Sequence, residues 1–571
     1  MSTNISGEKR QALLSKIAEI KSFIEQNSND KNASQLISYL GDLTREVNGK
    51  KYGLVFEEHR EAIDEKLEQN APVFTEEKDL FIDNGGELNF LLEGDNLASL
   101  KLLEKTHRGK IDVIYIDPPY NTGNKDFIYD DNYVDSVDQF RHSKWLSFME
   151  KRLKIAKNLL KDTGAIFISI DDNEVANLKI LCDEIFGENL LLGINSVAKG
   201  TTTGQDANKF GSSVDYIIAY GMPKFQLQKD DLSEEDKLRF NKEDENGRYS
   251  ILQFRKTGNG DKREDRPNLF FPLISPDGSE VFPIGPTGYE SRWRGDMKFW
   301  NNMLEKNMVE WIHQKDGWKP YIKFYLEGRG KAVSNLWDNI DGNKKATIEL
   351  KEALGEKLFT NPKPTDLIRK ILKITQSSTI LDFFAGSGTT GHAVLKLNAE
   401  DGGHRKFILC TNNENNICRE ITYQRLKTVI TGTRKDGSTY SDGLPGSLKY
   451  FKTDFIPISE KMYYEYADDL LFHVRELVEL ENAVNFDKDK TVAIVLDDDE
   501  MEEFIATLVE SGRNEQKDTS TGLSVRNTGL SVRALYVGHD VLVSGKQERI
   551  LKSHNISINT IPDYYYRDLA L

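Results

Sequence analysis

The stretch Thr379-Ile-Leu-Asp-Phe-Phe-Ala-Gly-Ser-Gly-Thr-Thr-Gly391 decides the fold, because it places a glycine-rich turn directly between a strand and a helix. The apolar run 379–383 is typical of a buried strand, and a helix is expected from about 390 to 397. The three glycines satisfy the pattern Gly-x-Gly-x-x-Gly, in which glycine lets the backbone approach a ligand closely. This segment therefore predicts an open α/β sheet with a ligand at the carboxyl end of a strand.

Asp382 distinguishes between the two cofactors that such a turn accepts. Nicotinamide dinucleotides and S-adenosylmethionine can both use a glycine turn followed, about 20 residues on, by an acid that holds ribose hydroxyls, here Glu414. A carboxylate directly before the turn repels a pyrophosphate and attracts the ammonium of a methionine moiety. The charge of Asp382 favours S-adenosylmethionine. A nicotinamide-dependent oxidoreductase stays open as an alternative that rests on the glycine turn alone.

The same α/β pattern is found upstream and is interrupted in the middle of the chain. Strands are expected at 88–92, 111–116 and 165–170, with helices between them and a further helix from 174 to 186, capped by Gly187. About 130 residues rich in Trp, Gly, Pro and basic residues then separate this half from the glycine turn. The predicted fold is a doubly wound, Rossmann-like α/β domain that is split by an insertion.

Five segments follow from this pattern. They are a helical N-terminal arm (1–80), one half of the α/β domain (81–222), an inserted domain (223–355), the glycine-turn half (356–448) and a C-terminal accessory module (449–571). In the last segment the acidic run 497–503 is interpreted as the start of a helix, with acids near its positive end, in preference to a metal site.

Ile111-Asp-Val-Ile-Tyr-Ile-Asp-Pro-Pro-Tyr120 is the second segment that carries chemistry. The strand delivers Asp117 to its carboxyl end, and the two prolines fix the backbone, so that the Asp117 carboxylate and the Pro118 carbonyl point outward as acceptors. Two such acceptors can hold the protons of an exocyclic base amine, while Tyr120 stacks on a base flipped out of the duplex. The alternative interpretation is an ordinary turn after a strand.

Composition limits the class of protein. The chain of 571 residues has 38% hydrophobic and 29% charged residues, and no apolar run approaches the length of a membrane span. The N-terminus lacks the features of a secretion signal, so a cytoplasmic location is expected. The spacing of its three cysteines, Cys182, Cys410 and Cys418, predicts neither a disulfide framework nor a zinc site, and no metal is expected.

The net charge of −16 argues against nucleic acid only if the charge is spread evenly. The segment 289–331 holds nine Lys or Arg against six acids. Within it, Arg292-Trp293-Arg294 and Lys315-Asp-Gly-Trp-Lys319 combine cations for phosphates and guanine edges with flat side chains. Arg292, Arg294, Lys315 and Lys319 are therefore candidate contacts for double-stranded DNA, although the tryptophans fit the core of a small domain equally well.

Taken together, these motifs resemble those of the amino-methylating DNA methyltransferases. The resemblance rests on Asp117-Pro-Pro-Tyr120 and on Asp382, Phe384, Gly386 and Gly388 of the cofactor motif. Three longer runs resemble the modification subunits of Type III restriction systems: Leu92-Glu-Gly-Asp-Asn-Leu97, Ile116-Asp-Pro-Pro-Tyr-Asn-Thr-Gly123 and Phe167-Ile-Ser-Ile-Asp-Asp-Asn-Glu174. The resemblance covers about residues 50–450.

The resemblance implies roles for further residues. Asp117, Pro118, Pro119 and Tyr120 would be catalytic, and S-adenosylmethionine would contact a set of nine residues: Asp382, Phe384, Gly386, Gly388, Thr389, Asp95, Lys363, Pro364 and Glu414. Within this set, Lys363 and Pro364 of Asn361-Pro-Lys-Pro would wrap the methionine end, and Asp95 would lie near the cofactor adenine. Glu414 follows Thr411-Asn-Asn, which departs from the usual strand ending.

The order of the motifs carries further implications. The catalytic motif precedes the cofactor motif, so the fold is circularly permuted as in the β class of the family, and the insertion would be the target-recognition domain. The Asp of the motif points to adenine rather than cytosine, and the absence of a Pro-Cys dipeptide removes the thiolate that ring-carbon methylation needs. The resemblance also suggests a homodimer and a restriction subunit as partner. Because no Walker A loop is present, ATP-driven cleavage would belong to that partner.

Two other functions stay as alternatives. A glutamine methyltransferase acting on protein has a similar motif, but there the motif follows the cofactor loop and needs no large insertion. A DNA-binding protein with an inactive methyltransferase core is the other, and the intact Asp117, Gly386 and Gly388 argue against it.

Overall fold

The computed structural model describes residues 5–26, 33–48, 56–123, 128–129, 132–133, 138, 140–199, 211–340, 342–458, 467–486, 488–517 and 532–570. The chain forms two compact units. The first comprises Met1–Gln226, Asn335–Leu372 and Gln376–Leu571, and the second comprises Leu227–Ser334 with Lys373–Thr375.

The helices of the described residues are α1 (Ile5–Gln26), α2 (Ala33–Asn48), α3 (Ala62–Gln69), α4 (Asn96–His107), α5 (Arg141–Leu159), α6 (Val175–Phe186), α7 (Glu234–Leu238), α8 (Met297–Glu305), α9 (Asn343–Leu354), α10 (Thr365–Lys373), α11 (Thr389–Asp401), α12 (Tyr423–Thr431), α13 (Ala467–Leu471), α14 (Val474–Asn482), α15 (Asp498–Lys517), α16 (Gly545–Ser553) and α17 (Asp563–Ala570).

The strands are β1 (Asn70–Glu76), β2 (Ile82–Asn84), β3 (Leu88–Glu93), β4 (Ile111–Ile116), β5 (Ile128–Tyr129), β6 (Asn132–Tyr133), β7 (Leu160–Ile170), β8 (Leu191–Ala198), β9 (Val214–Gly221), β10 (Lys242–Asp244), β11 (Gly247–Gln253), β12 (Leu273–Ile274), β13 (Glu280–Val281), β14 (Val309–Gln314), β15 (Gly317–Tyr325), β16 (Leu336–Trp337), β17 (Thr379–Asp382), β18 (Lys406–Thr411), β19 (Gly446–Pro457), β20 (Val492–Val495), β21 (Ala534–Gly538) and β22 (Ser557–Ile561).

The first unit is built on a sheet of eleven strands. Ten of them follow the order β1-β19-β3-β18-β17-β4-β7-β9-β8-β16, and β2 pairs with β19. The strands from β19 to β7 are parallel, whereas β9 runs antiparallel between β7 and β8. The sheet thus winds outward in both directions from β17 and β4, which confirms the predicted doubly wound α/β fold. These two central strands lie far apart in the chain, so the permuted order is confirmed too.

The centre of the sheet is buried on both faces. All six residues of β4 are buried, as expected for a parallel strand covered on each side. On α5, Trp145, Met149 and Leu153 recur at helical spacing and are fully buried. Burying one such side chain contributes about 1.5–3 kcal/mol, so this layer holds α5 firmly beside the carboxyl ends of β4 and β7.

The second unit has its own small core. The strands β10, β11, β15 and β14 form an antiparallel sheet in that order. Phe254, Trp293 and Trp300 are buried among the residues that cover it, with Phe254 stacked on Trp293 at a centroid distance of 5.4 Å. The unit ends at Ser334 instead of the predicted 355, because β16 pairs with β8 of the other sheet.

Two other boundaries differ from the sequence interpretation. The helical N-terminal arm ends at Gln69, because the buried run 71–74 belongs to β1, which pairs antiparallel with β19. The C-terminal module begins inside β19, which pairs with β3 and belongs to the main sheet. Its later part forms a separate sheet of β20, β21 and β22. The acidic run does begin a helix, α15, where Asp497 accepts the Glu500 backbone N–H.

Among the described residues, the structure contains no helix that has both the length and the apolar character needed to span a bilayer.

Candidate active site

The two sequence motifs meet at one edge of the sheet. Asp117 directly follows β4, and Asp382 is the last residue of β17. The two strands are parallel neighbours, with Ile380 opposite Val113 and Leu381 opposite Ile114. Because the carboxyl ends of parallel strands share an edge, the catalytic candidate and the glycine turn lie side by side in the position where open α/β sheets bind ligands.

Asp117 lies in a cluster of polar side chains. Its Oδ1 accepts a hydrogen bond from the Tyr120 hydroxyl at 2.9 Å and lies 3.3 Å from Lys363 Nζ. The same ammonium donates to Tyr120 Oη at 2.5 Å and lies 4.8 Å from the centroid of that ring. Burial raises the pKa of Asp117 above its ordinary value, while Lys363 and the Tyr120 hydroxyl act in the opposite direction.

The cluster extends beyond the residues named from the sequence. Lys363 Nζ also donates to Asp215 Oδ2 at 3.4 Å, and Lys199 Nζ lies 2.6 Å from Asp215 Oδ1. Asp215 is the second residue of β9 and Lys199 follows β8. Since β9 runs antiparallel to β7 and β8 runs parallel to it, the start of β9 and the end of β8 both reach the catalytic edge. In the sequence, the only sign that Asp215 belongs to the site is its position at the end of a strand. That sign can be used only when the direction of the strand in the sheet is known.

Side chains from two helices fix the turn that contains the motif. Trp145 Nε1 on α5 donates to the Pro119 carbonyl at 2.7 Å. Asn121, in the left-handed region at φ +58°, donates through Nδ2 to Glu174 Oε1 at 2.6 Å. Glu174 is fully buried at the start of α6 and also accepts from Asn177 Nδ2 at 2.8 Å, while His142 Nδ1 lies 2.6 Å from its Oε1. The sequence interpretation gave none of these five residues a role.

The glycine turn is organised around Asp382. The carboxyl group is 2% exposed, and its oxygens accept from the Phe384 backbone N–H at 3.0 Å and from the Thr390 hydroxyl at 2.5 Å. Burial raises the pKa of Asp382 to about 7. The side chain therefore shapes the turn from within, and its carboxyl group stays protonated to a higher pH than that of an exposed aspartate.

The glycines after Asp382 adopt backbone conformations that favour glycine. Gly386 has φ +49° and Gly388 has φ +74°, and Gly388 is the residue from which α11 begins. A Cβ placed on Gly386 would have nothing nearer than 3.8 Å, so the backbone presents an open surface there. A Cβ on Gly388 would lie 3.2 Å from the Thr422 side chain, so the close packing of the turn also requires glycine.

Three other cofactor candidates line the same turn. Thr389 is buried, and its hydroxyl donates to the Lys363 carbonyl at 3.2 Å and accepts from Arg425 at 2.8 Å. Phe384 is half-buried, with its ring 5.8 Å from that of Phe148. Pro364, next to Lys363, is buried. The backbone of the Lys363 segment is thus tied to the start of α11.

Asp95 and Glu414 occupy different environments. Asp95 caps α4, where its Oδ1 accepts from the backbone N–H groups of Leu97 and Ala98 at 2.8 and 3.2 Å. The next residue, Asn96, donates to the Phe383 carbonyl at 3.0 Å, which brings the start of α4 to the glycine turn. Glu414 is exposed in a short turn after β18, the parallel neighbour of β17.

The DNA-contact candidates lie in the second unit. Arg292 Nε donates to the Gly260 carbonyl at 2.6 Å, and Arg294 Nε donates to the Gln253 carbonyl at 2.8 Å. Both guanidinium groups thus donate to backbone carbonyls of their own unit. Lys315 is exposed, and Lys319 pairs with Asp316 at 2.7 Å. The tryptophans of the two runs differ: Trp293 is core, with 1% exposure, whereas Trp318 is half-buried and donates to Asp277 at 2.9 Å.

Comparison with known proteins places this geometry in a family context. The N6_N4_Mtase family model, described as DNA methylase, matches residues 111–423, which include both motifs. The Type III restriction-modification enzyme StyLTI Mod subunit of Salmonella typhimurium is 34% identical over 385 residues, 62% of this chain and 57% of the relative. The Type II methyltransferase M.KpnI of Klebsiella pneumoniae is 37% identical over 385 residues, 64% of this chain and 90% of the relative.

The chain thus spans little more than half the length of the StyLTI Mod subunit but most of M.KpnI. Among solved structures, the PvuII DNA methyltransferase (cytosine-N4-specific) aligns with 60% of this chain and 88% of its own length, at 11% identity and a TM-score of 0.32. A likeness at that score carries no weight for function.

Proposed function

This chain belongs to the DNA methylase family described by the N6_N4_Mtase model, and on that premise we propose that it transfers a methyl group from S-adenosylmethionine to the exocyclic N6 amine of an adenine at specific sites in duplex DNA. The observation that carries the proposal is the juxtaposition of Asp117 and the glycine turn at the ends of two adjacent parallel strands. An acceptor for the amine and a surface for the cofactor would then lie at the same edge of the sheet.

The residues of the glycine turn fit S-adenosylmethionine. The open backbone surface at Gly386 leaves room for a ligand against the turn, and Asp95 lies on the segment that Asn96 ties to Phe383. Phe384 offers an aromatic surface there, and Glu414 stands after the neighbouring strand, where a ribose would lie. When bound, the cofactor supplies a sulfonium-activated methyl group.

The catalytic motif would prepare the amine. The nitrogen lone pair of adenine N6 is delocalised into the ring, so the free amine is a weak nucleophile. Hydrogen bonds from its two protons to Asp117 and to the Pro118 carbonyl would hold the nitrogen in place and turn the lone pair towards the methyl group. Tyr120, whose ring lies beside Asp117, would stack on the base.

Methyl transfer to the amine also requires a group that takes up one proton. The amine nitrogen would form a bond to the methyl carbon while the carbon–sulfur bond breaks and its electron pair stays on sulfur. The methylated nitrogen would then carry a positive charge and give up one proton. Asp117 would accept that proton, because burial raises the pKa of its carboxyl group and so makes it a stronger base.

The proposal also covers the target base, the partners of the chain and its location in the cell. The Asp at the first motif position favours the N6 amine of adenine. The name of the family model, N6_N4_Mtase, includes both N6 and N4 amines. We propose that Leu227–Ser334 is the target-recognition domain and that the chain acts in the cytoplasm as a homodimer. We also propose that it serves a restriction-modification system, with a restriction subunit as partner. Solitary action is the alternative, favoured by the 90% coverage of M.KpnI.

The test uses radiolabelled S-adenosylmethionine, duplex DNA of mixed sequence and two variants. Digestion to nucleosides and chromatography should show the label in N6-methyladenine with the unsubstituted chain and with Asp162→Ala, whose side chain is exposed. Asp117→Ala should lose at least about 1,000-fold of the rate, since it removes both an acceptor and the proton acceptor. Label in N4-methylcytosine, in protein or in neither would overturn the proposal.

A further inference from the structure

We propose that Lys363 is a positioning residue for Asp117: together with Tyr120 it holds one carboxylate oxygen, so that the other faces the base amine, and Asp215 and Lys199 hold the ammonium in place. This inference rests on the proposed function, because it assigns the role by the amine that Asp117 would bind. It departs from the role that the resemblance implied, which was contact with the methionine end of the cofactor.

The contacts divide the two oxygens of Asp117. Both the Tyr120 hydroxyl and the Lys363 ammonium approach Oδ1, at 2.9 and 3.3 Å. A carboxylate held through one oxygen cannot rotate freely about its Cβ–Cγ bond, so the direction of Oδ2 is fixed as well. Fixing an acceptor before the substrate arrives removes the reorganisation that would otherwise accompany the reaction.

A lysine side chain is long and flexible, so its ammonium must itself be held to act in this way. Asp215 Oδ2 accepts from Lys363 Nζ at 3.4 Å, and Lys199 Nζ lies 2.6 Å from Asp215 Oδ1. Lys363 and Asp215 side chains are each only 11% exposed. A buried charge is stable only when it is paired, and here two cations alternate with two carboxylates along Lys199, Asp215, Lys363 and Asp117.

Four separate segments supply these groups. Lys199 follows β8, Asp215 is the second residue of β9, Lys363 precedes α10 and Asp117 follows β4. The backbone of Lys363 is fixed as well, because its carbonyl accepts from the Thr389 hydroxyl at the start of α11. The backbone from which the Lys363 side chain extends is therefore fixed. Its ammonium has three partners, Asp117, Tyr120 and Asp215.

The charge of Lys363 also favours the ionised form of Asp117. Asp117 accepts the hydrogen bond of the amine most strongly as a carboxylate, and only in that form can it take up a proton. Both burial and Asp215 raise the pKa of its carboxyl group. The ammonium of Lys363 opposes that rise, and the two carboxylates in turn raise the pKa of Lys363, which keeps it charged. Loss of the ammonium would therefore leave Asp117 protonated up to a higher pH.

A positioning role and a cofactor contact give different results in Lys363→Met. Positioning predicts that kcat at saturating S-adenosylmethionine and DNA falls roughly 100-fold, as for a misplaced catalytic group. It also predicts that the acidic limb of the kcat profile moves to higher pH, while the dissociation constant for S-adenosylmethionine, measured by calorimetry, stays within about threefold. Lys363→Arg should restore part of kcat, and Lys224→Met, on an exposed lysine, is the matched control.

The opposite pattern overturns the inference. A weaker binding of S-adenosylmethionine with an unchanged kcat and pH profile in Lys363→Met would make the residue a cofactor contact. If Lys363→Met does not fold, Lys199→Met tests the anchoring at a lysine whose side chain is 28% exposed, compared with 11% for Lys363. A several-fold lower kcat and a shifted acidic limb are expected there, and an unchanged profile contradicts the anchoring.

Failure of the proposed function can be recognised separately. Carbon-13 NMR of aspartate-labelled protein follows the Asp117 carboxyl without any turnover, with Asp117→Asn identifying its signal. The signal should titrate at higher pH in Lys363→Met than in the unsubstituted chain. An inactive unsubstituted chain would count against the methyltransferase activity alone, whereas an unmoved titration would count against the role of Lys363.

Discussion

The surroundings of Asp382 change the pKa of its carboxyl group. Its carboxyl group has almost no exposed surface, and burial raises its pKa from 3.8 to about 7. Between these values the folded chain binds a proton that the unfolded chain has released. By linkage, the stabilisation that Asp382 provides is complete below pH 3.8 and is lost as the pH rises towards 7.

Asp382→Asn should remove this pH dependence. The amide stays neutral at every pH and can still accept from the Phe384 backbone, so the variant should gain stability relative to the unsubstituted chain as pH rises from 5 to 8. The gain should amount to roughly 2–4 kcal/mol. Thermal unfolding of both chains across this range measures it, and a difference in melting temperature that does not vary with pH would contradict the prediction.

At the same scale, the sequence located the motif residues but not their neighbours. Asp117 and Tyr120 could be found because they flank two prolines that follow an apolar run. Asp382 could be found because it lies in an apolar run that ends four residues later at Gly386. Lys199, Asp215 and Glu174 were given no role, because charged residues beside strands are usually solvated. Their importance arises from strand directions and burial that no local pattern encodes.

At the scale of elements, the catalytic turn is supported by α5 and α6. Glu174 at the start of α6 accepts from Asn121 and Asn177, and His142 of α5 lies within hydrogen-bonding distance. Asn121 directly follows Tyr120 and has a left-handed backbone. The geometry of the motif thus depends on a buried carboxylate that is distant in sequence.

Glu174→Gln should lower kcat by about 10- to 100-fold, because one acceptor becomes a donor that faces buried donors and the turn shifts. Binding of S-adenosylmethionine should remain within about threefold, since the glycine turn lies on another strand. Glu188→Gln, at a side chain that is 82% exposed, is the control. Equal activities of the two variants would show that Glu174 does not position the motif.

A buried ion cluster joins β19 to α14. Lys449 is 1% exposed, and its ammonium contacts Glu479 of α14 and lies 3.0 Å from Glu76 of β1. Glu479→Ala would leave the ammonium with one partner in the interior. We expect a loss of about 3–5 kcal/mol in the free energy of unfolding, seen as a lower melting temperature.

The double variant Lys449→Met with Glu479→Leu is the informative comparison for this cluster. It removes the fully buried pair and keeps comparable volume, and it leaves only Glu76, whose side chain is 10% exposed, without the ammonium. Part of the stability should therefore return. A double variant as unstable as Glu479→Ala would show that packing, and not the unpaired charge, causes the loss. Circular dichroism at increasing temperature distinguishes these outcomes.

The sequence predicted most elements of the parallel core for a physical reason. A strand buried on both faces is a continuous apolar run, as in 111–116, and its helices carry apolar residues at regular spacing. The pairing of β1 with β19 could not be predicted, because it joins segments more than 370 residues apart in the chain. Apolar runs identify strands but do not identify their partners.

At the scale of the whole molecule, charge is distributed unevenly between the two units. Residues 227–334 contain nineteen basic and nineteen acidic residues, so the net charge of −16 arises entirely outside the second unit. A neutral domain within an acidic protein is the part that a polyanion approaches at the lowest electrostatic cost. The proposed role of this unit in target recognition is consistent with that distribution.

The combined variant Arg292→Ala and Arg294→Ala tests this role. If both guanidinium groups contact phosphates, the affinity for duplex DNA should fall and the slope of log K against log salt concentration should decrease by about 2, one for each lost cation. Fluorescence anisotropy at several salt concentrations gives the slope. Arg239→Ala, at an arginine that is 79% exposed in the same unit, should leave the slope unchanged.

The same measurement separates two kinds of contact. Contacts to base edges would relax the sequence preference of methylation with a smaller change in the salt slope, because bases carry no net charge. The kcat at saturating DNA and the affinity for S-adenosylmethionine should be retained in either case, since the catalytic cluster belongs to the first unit. A double variant whose DNA affinity, slope and preference all match the unsubstituted chain would exclude Arg292 and Arg294 from the DNA interface.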